Sequence, residues 1–545
     1  MRAKKGWFLG LIIFLVLACA WNARAQDRDC AKLVSTTEGM VQGKQDSEHS
    51  ACFWKGIPYA KPPLEELRFR APQWPEKRQE ILKAYQVGLS CPQSASLTAG
   101  GESIGYSEDC LSLNIFSPKK AGNFPVMVWI HGGAFSQGSG GYEMYDGARL
   151  AGEKDVVVVS INYRVGYFGF LALPELADED EHNSTGNYGI LDQVQALKWV
   201  QKNIGSFGGD PNNITIFGQS AGGMSVCALL VSPLAKGLFH RAIPMSGPCD
   251  LLSDMEQGYE QGRKLVEELG CSGEEALSCL RAKPFSDFLP KHKNTMLAGG
   301  VTFSPHIDGY VIPDEPLKLI QQGKFNRVPI MVGTTKEELK LYTITISGQW
   351  LLTKAEVNYL IKKLMGKEIA QELPQYYSYA DYRLPKDYLI GTATDLAFSS
   401  RAFLMAEYAS AYAPVYFYRF DWNNIRYPNK LGAFHGLDIP FVFGAMDLDI
   451  KLAKMLANKK SYKQGEPLAR QLMSYYTNFA RNGDPNQEGL EHWEPYSTNN
   501  QVRMYLNTPV SSALLTEKEL SQYNYWTKYS LTQLALNQRK GKEKK

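Results

Sequence analysis

ITIFGQSAGGMSVCALL, residues 214–230, decides how this chain is read. Its first four residues are β-branched or aromatic and a glycine follows them, the composition of a buried strand. The remainder is small and apolar, suited to a helix packed closely on a sheet. Between them lies Gly218-Gln219-Ser220-Ala221-Gly222, a GxSxG pattern at a strand-to-helix turn. Such a turn is so tight that side chains at 218 and 222 would collide with the backbone around the serine. The helix N-terminus behind it favours negative charge developing there. Ser220 is therefore expected to be a nucleophile presented at the carboxyl end of a strand.

Outward from this stretch, short apolar runs alternate with helical segments. FPVMVWI (124–130) and VVVVSINYR (156–164) precede it, with LDQVQALKWVQKNI (191–204) as an amphipathic helix; VPIMVGT (328–334) and VYFYRF (415–420) follow. Continuous apolar strands between helices predict an α/β fold: a mostly parallel, twisted sheet covered by helices on both faces. Helical segments rich in Lys, Leu and Tyr between 334 and 415 read as an insertion over the sheet, with 341–380 a candidate lid. No repeat or low-complexity linker interrupts residues 26–530, so one domain is expected over 26–545. Ligands of such sheets sit beyond the carboxyl ends of strands, so the partners of Ser220 should follow these runs.

A serine needs a base within hydrogen-bond reach. Of eight histidines, His435 in GAFHGLDIPFVFG (432–444) follows the strand VYFYRF and lies between glycines that free the backbone. His306, in FSPHIDG, is the second candidate. His49, His182, His292 and His492 stand in polar contexts, and His240 falls beyond the helix that follows Ser220. The base needs a carboxylate to orient it, and VPIMVGTTKEEL supplies Glu337 and Glu338, of which only one can point into the site. The order serine, acid, histidine is that of an α/β-hydrolase triad. FPVMVWI runs into His131-Gly132-Gly133-Ala134-Phe135, where small residues let backbone N–H groups approach a substrate oxygen. Gly133 and Ala134 are assigned the main oxyanion roles, Ala221 a further donor and Gly132 a supporting hinge. Acyl transfer of this kind needs no metal or organic cofactor.

The start of the chain reads as a secretory signal peptide over residues 1–25. Arg2, Lys4 and Lys5 precede the run FLGLIIFLVLACA, and Ala23-Arg24-Ala25 is a small-x-small cleavage site. A lipobox ending at Cys19 is the rival reading, which would anchor the protein by lipid. The predicted product is secreted or periplasmic, and no later stretch reaches the length of a membrane-spanning helix. The formal charge is +3 for the whole chain, and loss of Arg2, Lys4, Lys5 and Arg24 brings it to −1, which gives no footing for nucleic acid. The basic tail at about 538–545 reads as a solvated end. Export permits disulfides. Cys91 with Cys110, and Cys271 with Cys279, are placed to close surface loops; Cys30 with Cys52 is a weaker third pair. Cys227, in an apolar helical stretch, is expected to be a buried free thiol. No pair has CxxC metal spacing. Of the sequons at Asn183 and Asn213, the first lies in a polar loop and the second enters a predicted strand.

The chain resembles the type-B carboxylesterase family, whose members include p-nitrobenzyl esterase-like enzymes, animal carboxylesterases and cholinesterases. The likeness is carried by FWKGIPYAKPP (53–63), LRFRAP (67–72), EDCLSLNIF (108–116), HGGAF (131–135), FGGDPNNITIFGQSAGG (207–223), TTKEEL (334–339), GAFHGLDIPFVFG and NFARNGDPN (478–486). It implies a single α/β-hydrolase domain and a Ser-Glu-His triad whose acid falls on Glu338, although Leu339 replaces the usual glycine beside it. It also implies disulfides Cys91–Cys110 and Cys271–Cys279, and an ion pair between Arg68 and Glu108. Gln219 stands where cholinesterases carry glutamate, and no tryptophan lies between Cys91 and Cys110, so a quaternary ammonium lacks its aromatic face. The HGGAF loop belongs to the group that admits bulky alcohols. The expected activity is hydrolysis of small-molecule or lipid carboxylic esters. A lipase or sterol esterase is the alternative among enzymes, and a catalytically silent adhesion protein the alternative outside them. The oligomeric state is not readable from the sequence.

Overall fold

A computed structural model describes residues 27–94, 104–289, 303–343, 352–425, 431–446, 463–532 and 534. The expected signal peptide, the basic tail, His292 and residues 344–351 of the candidate lid lie outside them. The strands that position the site are, in chain order, β1 (Lys44–Gln45), β2 (Ala51–Pro58), β3 (Ser112–Pro118), β4 (Phe124–Ile130), β5 (Val157–Ile161), β6 (Gly209–Gln219), β7 (Arg241–Met245), β8 (Ile330–Thr335), β9 (Val415–Phe420), β10 (Val502–Leu506) and β11 (Ser511–Leu514). They form one sheet in the order β11-β10-β9-β8-β7-β6-β4-β5-β3-β2-β1. From β5 to β10 neighbours run parallel, and antiparallel strands finish both edges. The chain passes from β4 to β5 on one side, then returns to lay β6 on the other. That reversal opens a crevice at the carboxyl ends of β4 and β6, where HGGAF and Ser220 follow.

Every residue of β4 and β5 is buried, which is why both read as unbroken apolar runs. The helix predicted at 191–204 is α1 (Tyr188–Asn203), and the one behind Ser220 is α2 (Ala221–Val231). Between β8 and β9 come α3 (Lys354–Met365), α4 (Pro385–Thr394), a π-helical turn over Asp395–Ser399, and α5 (Ser400–Ala409). The expectation of an insertion needs correction at its end. Parallel strands require a crossover, and α5, lying against β8 and β9, supplies it. The earlier segments build a separate apolar cluster, in which Val357, Ile361 and Tyr388 meet Tyr525 and Trp526 near the chain end.

After β9 follow α6 (Ile439–Phe443) and α7 (Glu466–Asn482). Alternation along β4 then divides the core. Val126, Val128 and Ile130 enter a cluster with α1 and α2 residues, while Met127 and Trp129 enter another with α6 and α7 residues. These are the two covered faces that the sequence predicts.

Among the described residues four disulfides cross-link the chain: Cys30–Cys52, Cys91–Cys110, Cys227–Cys249 and Cys271–Cys279. The expected free thiol at Cys227 is overturned. The chain leaving β7 turns back over α2 and brings the Cα of Cys249 to 5.4 Å from that of Cys227. Arg68 and Glu108 form a buried pair, with Arg68 Nε donating to Glu108 at 2.7 Å. Among the described residues no helix is long and apolar enough to cross a membrane.

Candidate active site

Ser220 caps α2 with φ 60° and ψ −124°, a conformation that costs a non-glycine residue about 1–3 kcal/mol and persists only where its surroundings fix it. Two contacts do so. Ser220 N–H donates to the carbonyl of Met245 at 2.9 Å, and its own carbonyl accepts from Met224 N–H at 2.9 Å. The glycine at 222 is required by proximity, since a Cβ there would lie 2.0 Å from the carbonyl oxygen of Ile130. The turn is thus pressed against the end of β4.

Beyond β4, a Cβ on Gly132 would stand 3.2 Å from Cβ of Ser220 and 2.6 Å from the Gln219 carbonyl oxygen. Gly133 has φ 120°, and Ala134 and Phe135 have φ 54° and 55°. The Gly133 carbonyl accepts from the N–H groups of Ser136 and Gln137 at 3.0 and 3.1 Å. His131 is stacked on Tyr163 at 4.3 Å between ring centroids, and the Tyr163 hydroxyl donates to the His131 carbonyl at 2.8 Å. Burial pushes the His131 imidazole down to about 4, so it is neutral at pH 7. The loop is therefore held by packing and carries no charge at that ring.

Of the two adjacent glutamates, Glu338 reaches His435: the ring Nδ1 donates to Glu338 Oε2 at 2.5 Å. The other carboxylate oxygen, Oε1, accepts from the Ser246 hydroxyl at 2.6 Å and from Thr335 N–H at 2.7 Å. Glu338 is fully buried, and these three donors compensate for the burial of its carboxylate. Glu337 turns the other way. It accepts from Ala433 N–H at 2.7 Å and from Lys340 Nζ at 3.0 Å, tying down the segment just before His435.

With its proton on Nδ1, His435 presents Nε2 as an acceptor, and the Gln219 side-chain amide donates to it at 3.1 Å. Phe398, from the π-helical turn, and Tyr342 stand with ring centroids 5.2 and 5.8 Å from the imidazole. Phe398 packs with Leu339 and Ile390 in a small apolar cluster, so hydrocarbon flanks the imidazole of His435.

His306 is not near this constellation. Its Nε2 faces the Phe170 carbonyl at 3.1 Å and its backbone N–H donates to Asn187, a buried structural role. Three participants escaped sequence reasoning. Ser246 and Cys249 follow β7, whose short run Arg241–Met245 carries a proline and a basic residue and gives little strand signal. Asp438, three residues past His435, is fully buried with both carboxylate oxygens unpartnered among the described residues. Burial, then the charge of Glu338, push its carboxyl up to about 7. Among the described residues no group of His, Cys, Asp and Glu is arranged to hold a metal ion.

Residues 31–526 match the sequence model of the carboxylesterase family. The chain is 37% identical over 504 residues to the para-nitrobenzyl esterase of Bacillus subtilis (strain 168), covering 90% of this chain and 98% of that one. It is 34% identical over 566 residues to the cocaine esterase of Homo sapiens, covering 95% and 94%. A solved PNB esterase structure superposes with TM-score 0.76 at 36% identity, over 90% of this chain and 99% of that one.

Proposed function

Since the chain belongs to the carboxylesterase family and is a carboxylic ester hydrolase, we propose that it works through Ser220, His435 and Glu338 and a covalent acyl-enzyme. Ser220 Oγ attacks the ester carbonyl while His435 Nε2 takes its proton, for which the Gln219 amide must release the Nε2 lone pair. Glu338 holds the ring and stabilises its charged form. The tetrahedral oxyanion is received by backbone N–H groups of Gly133, Ala134 and Ala221, with Gly132 keeping the loop close to Ser220. His435 returns the proton to the leaving alcohol, and water clears the acyl group by the reverse sequence.

The observation that carries this reading is the 2.5 Å contact between His435 Nδ1 and Glu338 beside a serine held at positive φ between a strand and a helix. The neutral amide of Gln219, where a carboxylate would supply negative charge, favours uncharged esters over quaternary ammonium esters. The four disulfides support an exported protein, secreted or periplasmic. Hydrolysis of p-nitrophenyl acetate, butyrate and palmitate by wild type and Ser220→Ala tests the mechanism. Turnover and its initial burst should vanish in the variant, and a preference for palmitate would move the assignment toward a lipase. A folded wild-type chain inert on every ester would overturn it.

A further inference from the structure

We infer that the Cys227–Cys249 disulfide is a positioning element of the reaction, fastening the helix that begins at Ser220 to the loop that holds Glu338. The inference rests on the triad proposed above. Two residues at the carboxyl ends of neighbouring parallel strands have positive φ without being glycine: Ser220 after β6, at 60°, and Ser246 after β7, at 47°. One is the nucleophile and the other donates to Glu338 Oε1. Both conformations are costly and need to be over-determined by their surroundings.

The segments leaving these residues run into each other. A Cβ on Gly223 would lie 2.7 Å from the Met245 carbonyl and 3.0 Å from Cα of Gly247, and a Cβ on Gly247 would lie 2.4 Å from the carbonyl carbon of Gly223. Backbone meets backbone there, with no side chains to interlock. The disulfide supplies the interlock. It joins a buried residue of α2 to a buried residue of the returning loop, 22 positions apart in sequence. Asp250, next along, pairs with Arg401 at 2.8 Å and so fixes the outgoing chain to α5. Ser246 N–H donates to the Gly333 carbonyl at 2.9 Å, which holds the start of the returning loop on β8, and the cross-link adds the covalent attachment of that loop to the nucleophile helix. Loosening it lets Ser246, and through it Glu338, shift relative to Ser220, and a displacement of this kind is felt in rate more than in substrate binding.

The test compares wild type, Cys227→Ala/Cys249→Ala, Ser246→Ala, the triple variant, and Cys271→Ala/Cys279→Ala as a disulfide-loss control, with p-nitrophenyl butyrate as substrate. The expected result is a kcat about tenfold lower in the Cys227/Cys249 variant with KM little changed. Labelling of Ser220 by a fluorophosphonate should slow equally, and the control should match wild type. The triple variant should lose less than the product of the Ser246→Ala and Cys227/Cys249 losses, since both act through one contact. If the alanine pair folds poorly, Cys227→Val/Cys249→Ala refills the volume without restoring the bond, and the same slowing is expected. Unchanged kcat in a folded variant, or losses that multiply in full, would overturn the inference and leave the ester hydrolase standing. A folded wild-type chain unreactive toward both probes would remove the triad as well.

Discussion

The hydroxyl of Ser246 donates to Oε1 of Glu338 at 2.6 Å, on the opposite side of the carboxylate from His435. Glu338 is thereby held from two strands at once, β7 through Ser246 and β8 through the N–H of Thr335. A hydrogen bond to a charged group contributes about 1.5–3 kcal/mol. Ser246→Ala is therefore expected to lower kcat about tenfold or more with KM little changed. Ser246→Thr, which keeps the hydroxyl, should recover part of the loss, and steady-state kinetics of the three proteins read this directly.

Glu337 and Glu338 should separate cleanly by substitution. Glu338→Gln cannot stabilise a charged His435 and should reduce kcat on the order of 1,000-fold or more. Glu337→Gln removes the charged half of the Lys340 contact and weakens the hold on Ala433. Its main effect should be on thermal stability, of about 1 kcal/mol, with kcat within a few-fold of wild type. A larger kinetic loss at 337 than at 338 would reverse the assignment.

The buried carboxyl of Asp438 predicts a pH dependence of stability. Burial and the neighbouring charge of Glu338 raise it to about 7, so the folded chain holds its proton more tightly than the unfolded chain does. Its contribution is whole below the unfolded value of about 4 and is lost as pH rises through 7. Asp438→Asn should thus raise Tm relative to wild type more at pH 8 than at pH 5. Thermal melts across that range, with equal differences at both ends, would rule the ionisation out.

Gly132→Ala tests the closeness of the loop after β4 to Ser220 and, with it, the proposed oxyanion role. Its new Cβ would fall 2.6 Å from the Gln219 carbonyl and 3.2 Å from Cβ of Ser220, so the backbone of one side has to give way. Both a lower Tm and a loss in kcat of about tenfold or more are expected. An active, equally stable variant would mean that the loop stands further from Ser220.

Much of this was legible in the sequence, and the limits have physical causes. The central strands announced themselves because burial on both faces leaves no polar interruption, as in FPVMVWI. Ser220 and His435 were readable because tight turns restrict which residues can flank them. Glu337 and Glu338 were not separable by their own chemistry, since adjacent carboxylates differ only in what faces them, here Lys340 and Ala433 on one side and His435 on the other. Cys227 misled for a related reason: an apolar helical context suits a thiol or a disulfide equally, and its partner comes from a loop whose return path no periodicity records. Crossover helix α5 is not separable from the insertion by sequence, because its pattern resembles the segments before it.

Phe398 approaches His435 from a turn that holds one more residue per hydrogen-bonded ring than the α-helices on either side. Each residue of an α-helix advances the direction of a side chain by about 100°. Deleting one residue from 395–399 would let an uninterrupted α-helix form and swing every later side chain of α5, or every earlier one of α4, off its present bearing. The aromatic neighbour of His435 is consequently encoded in a residue count as much as in the choice of phenylalanine. An alignment that scores only matched side chains would count such a deletion as a trivial gap, while His435 would lose its aromatic neighbour.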